Sequence, residues 1–299
     1  MNINKLLFIL WLPILPVITL AETNGLKERL QRIIDGKKAQ IGIAVIINGK
    51  DTVTVNNDCR YPMMSVFKLH QALAVADYCQ RRGLSFDTSV HIGRAELKTD
   101  TYSPLRDKYP QGNIALSIGE LLKYTLHLSD NNACDILFDR TGGTKTTDKY
   151  IRSLGIGHFS IEVTEDEMHK DLNACYRNWS TPLETARIIE MLLTQELFGK
   201  EYQNFITDAM ITCQTGKDRL AYPLEGTNAI IGHKTGTGDR NSKGQIIGTN
   251  DAGFVCLPNG KRYTIVVFIK DSEETEQATS RIIADISETV YRYINTSLQ

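Results

Sequence analysis

Three short polar motifs stand in order along a chain of 299 residues: Ser65-Val-Phe-Lys68, Ser129-Asp-Asn131 and Lys234-Thr-Gly236. In the first, an amine follows a hydroxyl by three residues, a spacing that puts both on one face of a helix. A serine hydroxyl is a weak nucleophile until a neighbouring base takes its proton. A lysine can be that base where burial or nearby cations disfavour its charged form. In the third motif, Lys234 offers a fixed cation suited to a carboxylate, with the hydroxyls of Thr235 and Thr237 beside it. Taken singly, each motif has a plainer reading: a surface serine with a solvated lysine, a pair of helix caps, an exposed turn. Three together, in order, are far more specific.

The elements that must position these groups follow from the apolar pattern. Pro62 precedes a run with helical character over residues 63–80, which places Ser65 in a first turn, where the helix dipole favours developing negative charge. Ser129-Asp-Asn131 lies between periodic apolar stretches at 118–128 and 133–138, a short break between two helices. Residues 230–237 read as a strand in which alternation puts Lys234 and Gly236 on one face. A strand glycine marks close approach by a ligand or another backbone. Elsewhere, 26–34 and 275–294 read as helices. Strands at 41–47 and 52–55 flank the hairpin signal Asn48-Gly-Lys-Asp51. Further strands fall at 229–233, 247–257 and 261–270, and helical periods dominate from 62 to about 210. The expected fold is α/β plus all-α. An antiparallel sheet with flanking helices is built from both chain ends (22–61 and 212–299), and a helical domain (62–211) is inserted between them.

The motif set resembles class A serine β-lactamases, over essentially the whole chain after its first residues. The resemblance implies that Ser65 attacks a β-lactam carbonyl and that Lys68, or Glu165 through a water, takes its proton. Ser129 then relays a proton to the leaving nitrogen, and Asn131 holds a substrate amide. The backbone N–H groups of Ser65 and Thr237 form the oxyanion hole. Lys234, Thr235, Gly236 and Thr237 receive the substrate. Deacylation falls to a glutamate on an omega loop. Glu165 fits by its spacing from Ser129 and by its alignment with Asn178-Trp-Ser-Thr-Pro182, although Asp166 and Glu167 stand beside it. Arg219 matches an arginine that supports the substrate carboxylate in some members, and Tyr102 matches an aromatic residue at the cleft mouth. The outcome implied is hydrolysis of penicillins and cephalosporins, and with it antibiotic resistance. The alternatives are a cell-wall D,D-peptidase, against which Glu165 in its loop position argues, and a penicillin-sensing domain that stays acylated, which would need a membrane segment to transmit its signal.

Two departures narrow the resemblance. The asparagine usual four residues after the glutamate is His169, which is expected to pack the loop or position water. The usual arginine–aspartate brace is replaced by Val163 and Asn178, which cannot form an ion pair. Both features are similar to a divergent class A subgroup of extended-spectrum and Bacteroides-type cephalosporinases.

The first 21 residues read as a signal peptide: Lys5, an apolar stretch over 6–20, and Thr19-Leu-Ala21 as a cleavage site. Periplasmic or secreted action is expected. No later stretch reaches the roughly 20 apolar residues of a membrane helix. A net charge of -1 without a basic block argues against nucleic acid. No metal, organic cofactor or partner chain is expected, and the likeness suggests a monomer. The six cysteines, scattered without metal spacing, read as small buried apolar residues.

Overall fold

The computed structural model describes residues 20–296. The expected signal peptide therefore lies almost wholly outside the described residues. The chain opens with α1 (Leu20–Ile34) and the hairpin β1 (Gln40–Ile47) and β2 (Asp51–Val55). Asn48 and Gly49 both take positive φ, 51° and 69°, as a tight hairpin requires. β3 (Tyr61–Pro62) leads through a single 3-10 turn, Met64–Val66, into α2 (Phe67–Arg82). There follow β4 (Ser89–Ile92), α3 (Pro104–Lys108), β5 (Ile114–Ser117), α4 (Ile118–His127), α5 (Asn131–Thr141) and α6 (Gly143–Ser153). Next come β6 (Phe159–Ser160), α7 (Glu165–Lys170), β7 (Trp179–Ser180), α8 (Pro182–Thr194) and α9 (Lys200–Ile211). The chain closes with β8 (Ile230–Thr237), β9 (Ile246–Cys256), β10 (Arg262–Ser272) and α10 (Glu276–Thr296).

The main sheet runs β2-β1-β10-β9-β8, antiparallel throughout. Its central strands are almost continuously apolar because both faces are covered. Alternation sorts their side chains. Ile41, Ile43, Val45 and Ile47 pack with Ile265 and Val267 under α1 and α10. Ala44, Ile46, Val266 and Phe268 join the second core, formed with α2, α4, α5 and α8.

The start of α2 differs from expectation. Pro62 is not a helix-opening proline; it pairs with Trp179 in a short strand. Met64 at φ 47° then breaks the path, and Ser65 sits in the 3-10 turn before the helix proper. The short strands β3 to β7 also fall within the stretch expected to be helical. Strands of two to four residues carry too little periodicity to be read from sequence.

One side chain joins the sheet to the turn that carries Ser65. Asn250 of β9 is fully buried and donates through Nδ2 to Pro62 O at 2.7 Å and Met63 O at 3.0 Å. Its Oδ1 accepts from Ile269 N at 3.1 Å. Asn250→Ala takes this partner from Pro62 O and Ile269 N, while Met63 O keeps its bond from Val66 N, at about 1–3 kcal/mol for each group left unpaired. A clearly lower thermal midpoint is expected, measured by calorimetry. An unchanged midpoint would remove Asn250 as the link.

Candidate active site

Ser65 is held close to β8 because Gly236 has no side chain. A Cβ there would lie 2.5 Å from Met63 O and 3.1 Å from Ser65 N. The close approach expected at this glycine is thus to another backbone. Lys68, in the first turn of α2, is fully buried and reaches four oxygens. Nζ lies 3.1 Å from Ser65 Oγ, 2.7 Å from Ser129 O, 2.7 Å from Asn131 Oδ1 and 2.8 Å from Glu165 Oε1. Ser65 Oγ also donates to Glu165 Oε1 at 3.2 Å.

Ser129 lies between α4 and α5 at φ 60°, a left-handed conformation that is uncommon for serine and recurs at functional sites. That turn aims its carbonyl at Lys68 and its hydroxyl at Lys234, whose Nζ donates to Ser129 Oγ at 2.8 Å. The capping duty at this break is taken by Asp130. Its Oδ1 accepts from Ala133 N, and Oδ2 accepts from Leu105 N. Ser129 and Asn131 are therefore released from the helix end. Asn131 gives its Oδ1 to Lys68 and donates its amide to Thr101 Oγ1 at 2.8 Å.

Glu165 opens α7 and is buried, while Asp166 pairs with Lys98 and Lys170, and Glu167 closes a capping box with Thr164. Of the three neighbouring carboxylates, Glu165 is the one that reaches Ser65. Asp135, which sequence reasoning missed, holds this helix end in place. Its two carboxylate oxygens each accept, at 2.9 Å, from Glu165 N and Asp166 N. Burial, and then the charge of Glu165, push the Asp135 carboxyl up to about 7. Its place four residues after Asn131, on the same helix face, was the available signal.

The loop brace differs from the expected loss. Fully buried Asn178 accepts from Glu162 N and Val163 N and donates to Val163 O at 2.8 Å. An amide clamping the backbone does the work of the missing ion pair. His169 lies at the outer side of this loop. Its half-exposed ring turns outward, with Nε2 3.6 Å from Asp100 Oδ2.

The far wall belongs to β8. Lys234 is fully buried; burial, then the nearby Lys68, draw its ammonium down to about 7. Thr235 Oγ1 meets Thr215 Oγ1 at 2.5 Å. Arg219 is buried behind the strand. It donates to Gly236 O and Asn250 O, and reaches the cleft through Thr237 Oγ1 at 2.7 Å. Tyr102, 57% exposed, stands over the opening. Ser65, Tyr102, Ser129, Asn131, Glu165, Thr235 and Thr237 together line a cleft of about 340 Å³, a size ordinary for small-molecule sites. The cysteine expectation holds in part. Cys79, Cys134 and Cys175 are buried, but Cys59 is exposed and Cys213 and Cys256 are half-buried; all six are free thiols.

Comparison with known proteins agrees with this site. Residues 25–294 match the family model described as the β-lactamase enzyme family. A β-lactamase of Bacteroides uniformis is 41% identical over 92% of this chain and 93% of its own length. β-Lactamase VEB-1 of Pseudomonas aeruginosa is 37% identical over 91% of each. The crystal structure of a class A β-lactamase from Bacteroides cellulosilyticus superposes with a TM-score of 0.88 at 41% identity, covering 92% of this chain and 99% of that one. With the serine, the lysines and the loop glutamate gathered on one cleft, the chain belongs to the β-lactamase enzyme family, among its class A serine hydrolases.

Proposed function

We propose that Ser65 opens the β-lactam ring and that Glu165 hydrolyses the resulting ester. The observation that carries this reading is the 3.2 Å contact between Ser65 Oγ and Glu165 Oε1. Ser129 O and Asn131 Oδ1 can only accept, so two Lys68 hydrogens are committed to them. The Ser65 proton then passes into the Lys68–Glu165 pair. Attack places negative charge on the carbonyl oxygen, facing the N–H groups of Ser65 and Thr237 as an oxyanion hole. Ser129 Oγ already accepts from Lys234, so its own hydrogen is free for the lactam nitrogen. Once Ser65 Oγ is an ester oxygen it has no hydrogen to donate. Glu165, still paired with Lys68, then loses its Ser65 partner and can take a proton from the attacking water.

Lys234, Thr235 and Thr237 take the carboxylate borne by penicillins and cephalosporins, with Arg219 holding Thr237 from behind. Tyr102 flanks the entrance, and Asn131 meets the acylamide. The reading extends to export after cleavage near Ala21, action in the periplasm or outside the cell, and a monomeric enzyme. It also divides the chain into a unit of 22–61 with 212–299 and a unit of 62–211 that carries Ser65 and the loop.

Glu165→Gln keeps size and hydrogen bonding but cannot accept a proton. It should accumulate acyl-enzyme with a cephalosporin, seen by intact mass, while Ser65→Ala shows no adduct. Rapid turnover by the Glu165 variant, with adduct trapped on Glu167→Gln instead, would move the base by two positions.

The Lys234 ammonium gives a pH dependence. Below about 7 it is charged in the free enzyme and holds the substrate carboxylate; above about 7 it loses the proton. The ratio kcat/KM, which reports free-enzyme groups, should fall on the alkaline side with an apparent midpoint near 7. Bound carboxylate favours the ammonium, so the limb in kcat should lie higher. A kcat/KM flat to well above pH 8 would contradict the Lys234 role.

His169→Asn should leave kcat within about five-fold of the parent, since a half-exposed ring paired at the surface contributes at most about 1 kcal/mol. A loss of a hundred-fold or more would restore His169 to the reacting centre.

A further inference from the structure

The Lys234 end of the cleft holds two buried cations with no carboxylate in ion-pair contact among the described residues. Arg219 donates to neutral acceptors: Gly236 O, Asn250 O, Thr237 Oγ1 and Ser280 Oγ. Lys234 Nζ likewise donates to Ser129 Oγ and Thr235 O. Yet an acid stands close behind them. Asp251 of β9 is fully buried and pairs in register with Thr235, while Lys234 pairs with Ala252. Its Oδ2 accepts from Leu220 N at 3.2 Å, the residue after Arg219. Its ion-pair partner is neither cation but His233, the residue before Lys234. That ring is 4% exposed, and its Nδ1 lies 2.9 and 3.0 Å from the two carboxylate oxygens.

A buried carboxylate is tolerated when an opposite charge compensates it. An imidazole set against both of its oxygens supplies that charge by keeping its second proton. Burial opposes charge on the ring, but the charge and hydrogen bond of Asp251 outweigh it and lift His233 to about 10. The other titratable groups bearing on the pair and on Arg219 are Cys213 after α9, Asp218 in the turn before Arg219, and Lys234 on the strand. From α10 come only the uncharged Ser280 and Ser287. An imidazolium on Asp251 makes the pair neutral. With a neutral ring, the Asp251 charge would act on Arg219 and Lys234 and cancel part of the field that meets an incoming anion.

We propose that His233 is a specificity-determining residue: held as an imidazolium on Asp251, it cancels that buried carboxylate and leaves the charges of Arg219 and Lys234 for the carboxylate of the substrate. The inference rests on the reading that Lys234 and Thr237 receive that carboxylate. His233 does not touch substrate. It acts through its neighbours, as a charge fixed behind the strand, and favours β-lactams that carry a free carboxylate over their esters. Asp251 then serves the backbone, holding Leu220 and with it the turn of Arg219, at no electrostatic cost to binding.

Two measurements test this on the whole protein. In NMR spectra of protein labelled with ¹⁵N-histidine, one ring should keep its imidazolium shifts at about pH 8.5, well above the ordinary histidine value of about 6.5. That signal should vanish in His233→Asn, which keeps a donor for Asp251 but not the charge. The second readout is the ratio of kcat/KM for a cephalosporin to that for its methyl ester. His233→Asn should lower this ratio by about ten-fold, and should move the alkaline limb of kcat/KM up by about one unit, because the uncompensated Asp251 favours the Lys234 ammonium. Adding Asp251→Asn to His233→Asn removes the stray charge and should restore the ratio, a rescue that a merely structural role does not give. The spectrum of the parent needs no variant, so it decides even where His233→Asn does not fold. No imidazolium at about pH 8.5 overturns the proposal, as does a parental ratio in His233→Asn, or a double variant no better than the single one. Lys234→Ala is the control. If it lowers the acid-to-ester ratio and His233→Asn does not, only this inference falls. If neither lowers it, the carboxylate role of Lys234 falls as well.

Discussion

The cleft depends on one buried nitrogen. Lys68 Nζ has no solvent exposure, and its oxygen partners come from four separate places: the nucleophile turn, the α4–α5 break, the start of α5 and the omega loop. A buried amine is tolerated only when nearby oxygens replace its water. Each of these segments is therefore drawn toward the same point. The positive φ of Ser129 makes sense in this light. A relaxed turn would leave its carbonyl facing elsewhere and Lys68 short of an acceptor. Strain of this kind, on the order of 1–3 kcal/mol per residue, persists where surrounding contacts over-determine the conformation.

The second constraint is how closely β8 approaches Ser65. Gly236 permits it, Asn250 pins the carbonyls just before Ser65, and Arg219 ties the carbonyls of Gly236 and Asn250 together from behind. The nucleophile turn and the strand carrying Lys234 thus share backbone partners. Movement of the sheet against the helices would separate Ser65 from Lys234. A site lodged between two cores keeps its geometry only if such shared bonds bridge them.

Much of this was legible in the chain because the relevant signals are local or repeat with a clear period. Odd and even residues of β1 and β10 sort cleanly onto two cores, and the Asn48-Gly49 turn announces its hairpin. The three motifs locate the residues that meet in the cleft. What escaped were partners chosen by the third dimension. Asp135 and Asn250 look like ordinary polar residues in apolar runs, and their worth lies in backbone groups 30 and 187 positions away. Asn178 was read as the loss of a brace because an ion pair was the pattern sought. Its amide instead satisfies three backbone groups at once, which no pairwise charge rule detects. Pro62 misled for a related reason: proline suits both a helix start and a strand end, and the partner strand β7 lies far along the chain.

The same geometry separates a hydrolase from a protein that acylates and stops. A serine, a buried lysine and a second serine suffice to open a lactam. Release needs a base that gives up one partner on acylation. In the reading proposed above Glu165 is that base: its contact to Ser65 depends on the hydroxyl hydrogen, which an acylated enzyme would lack, while its pairing with Lys68 remains. The loop must then hold Glu165 still while its partners change. Asp135 at the helix end and Asn178 at the loop base do so through backbone bonds that the reaction does not touch. Anchoring the base by its main chain leaves its carboxylate free to exchange partners, which is what a two-step hydrolysis requires.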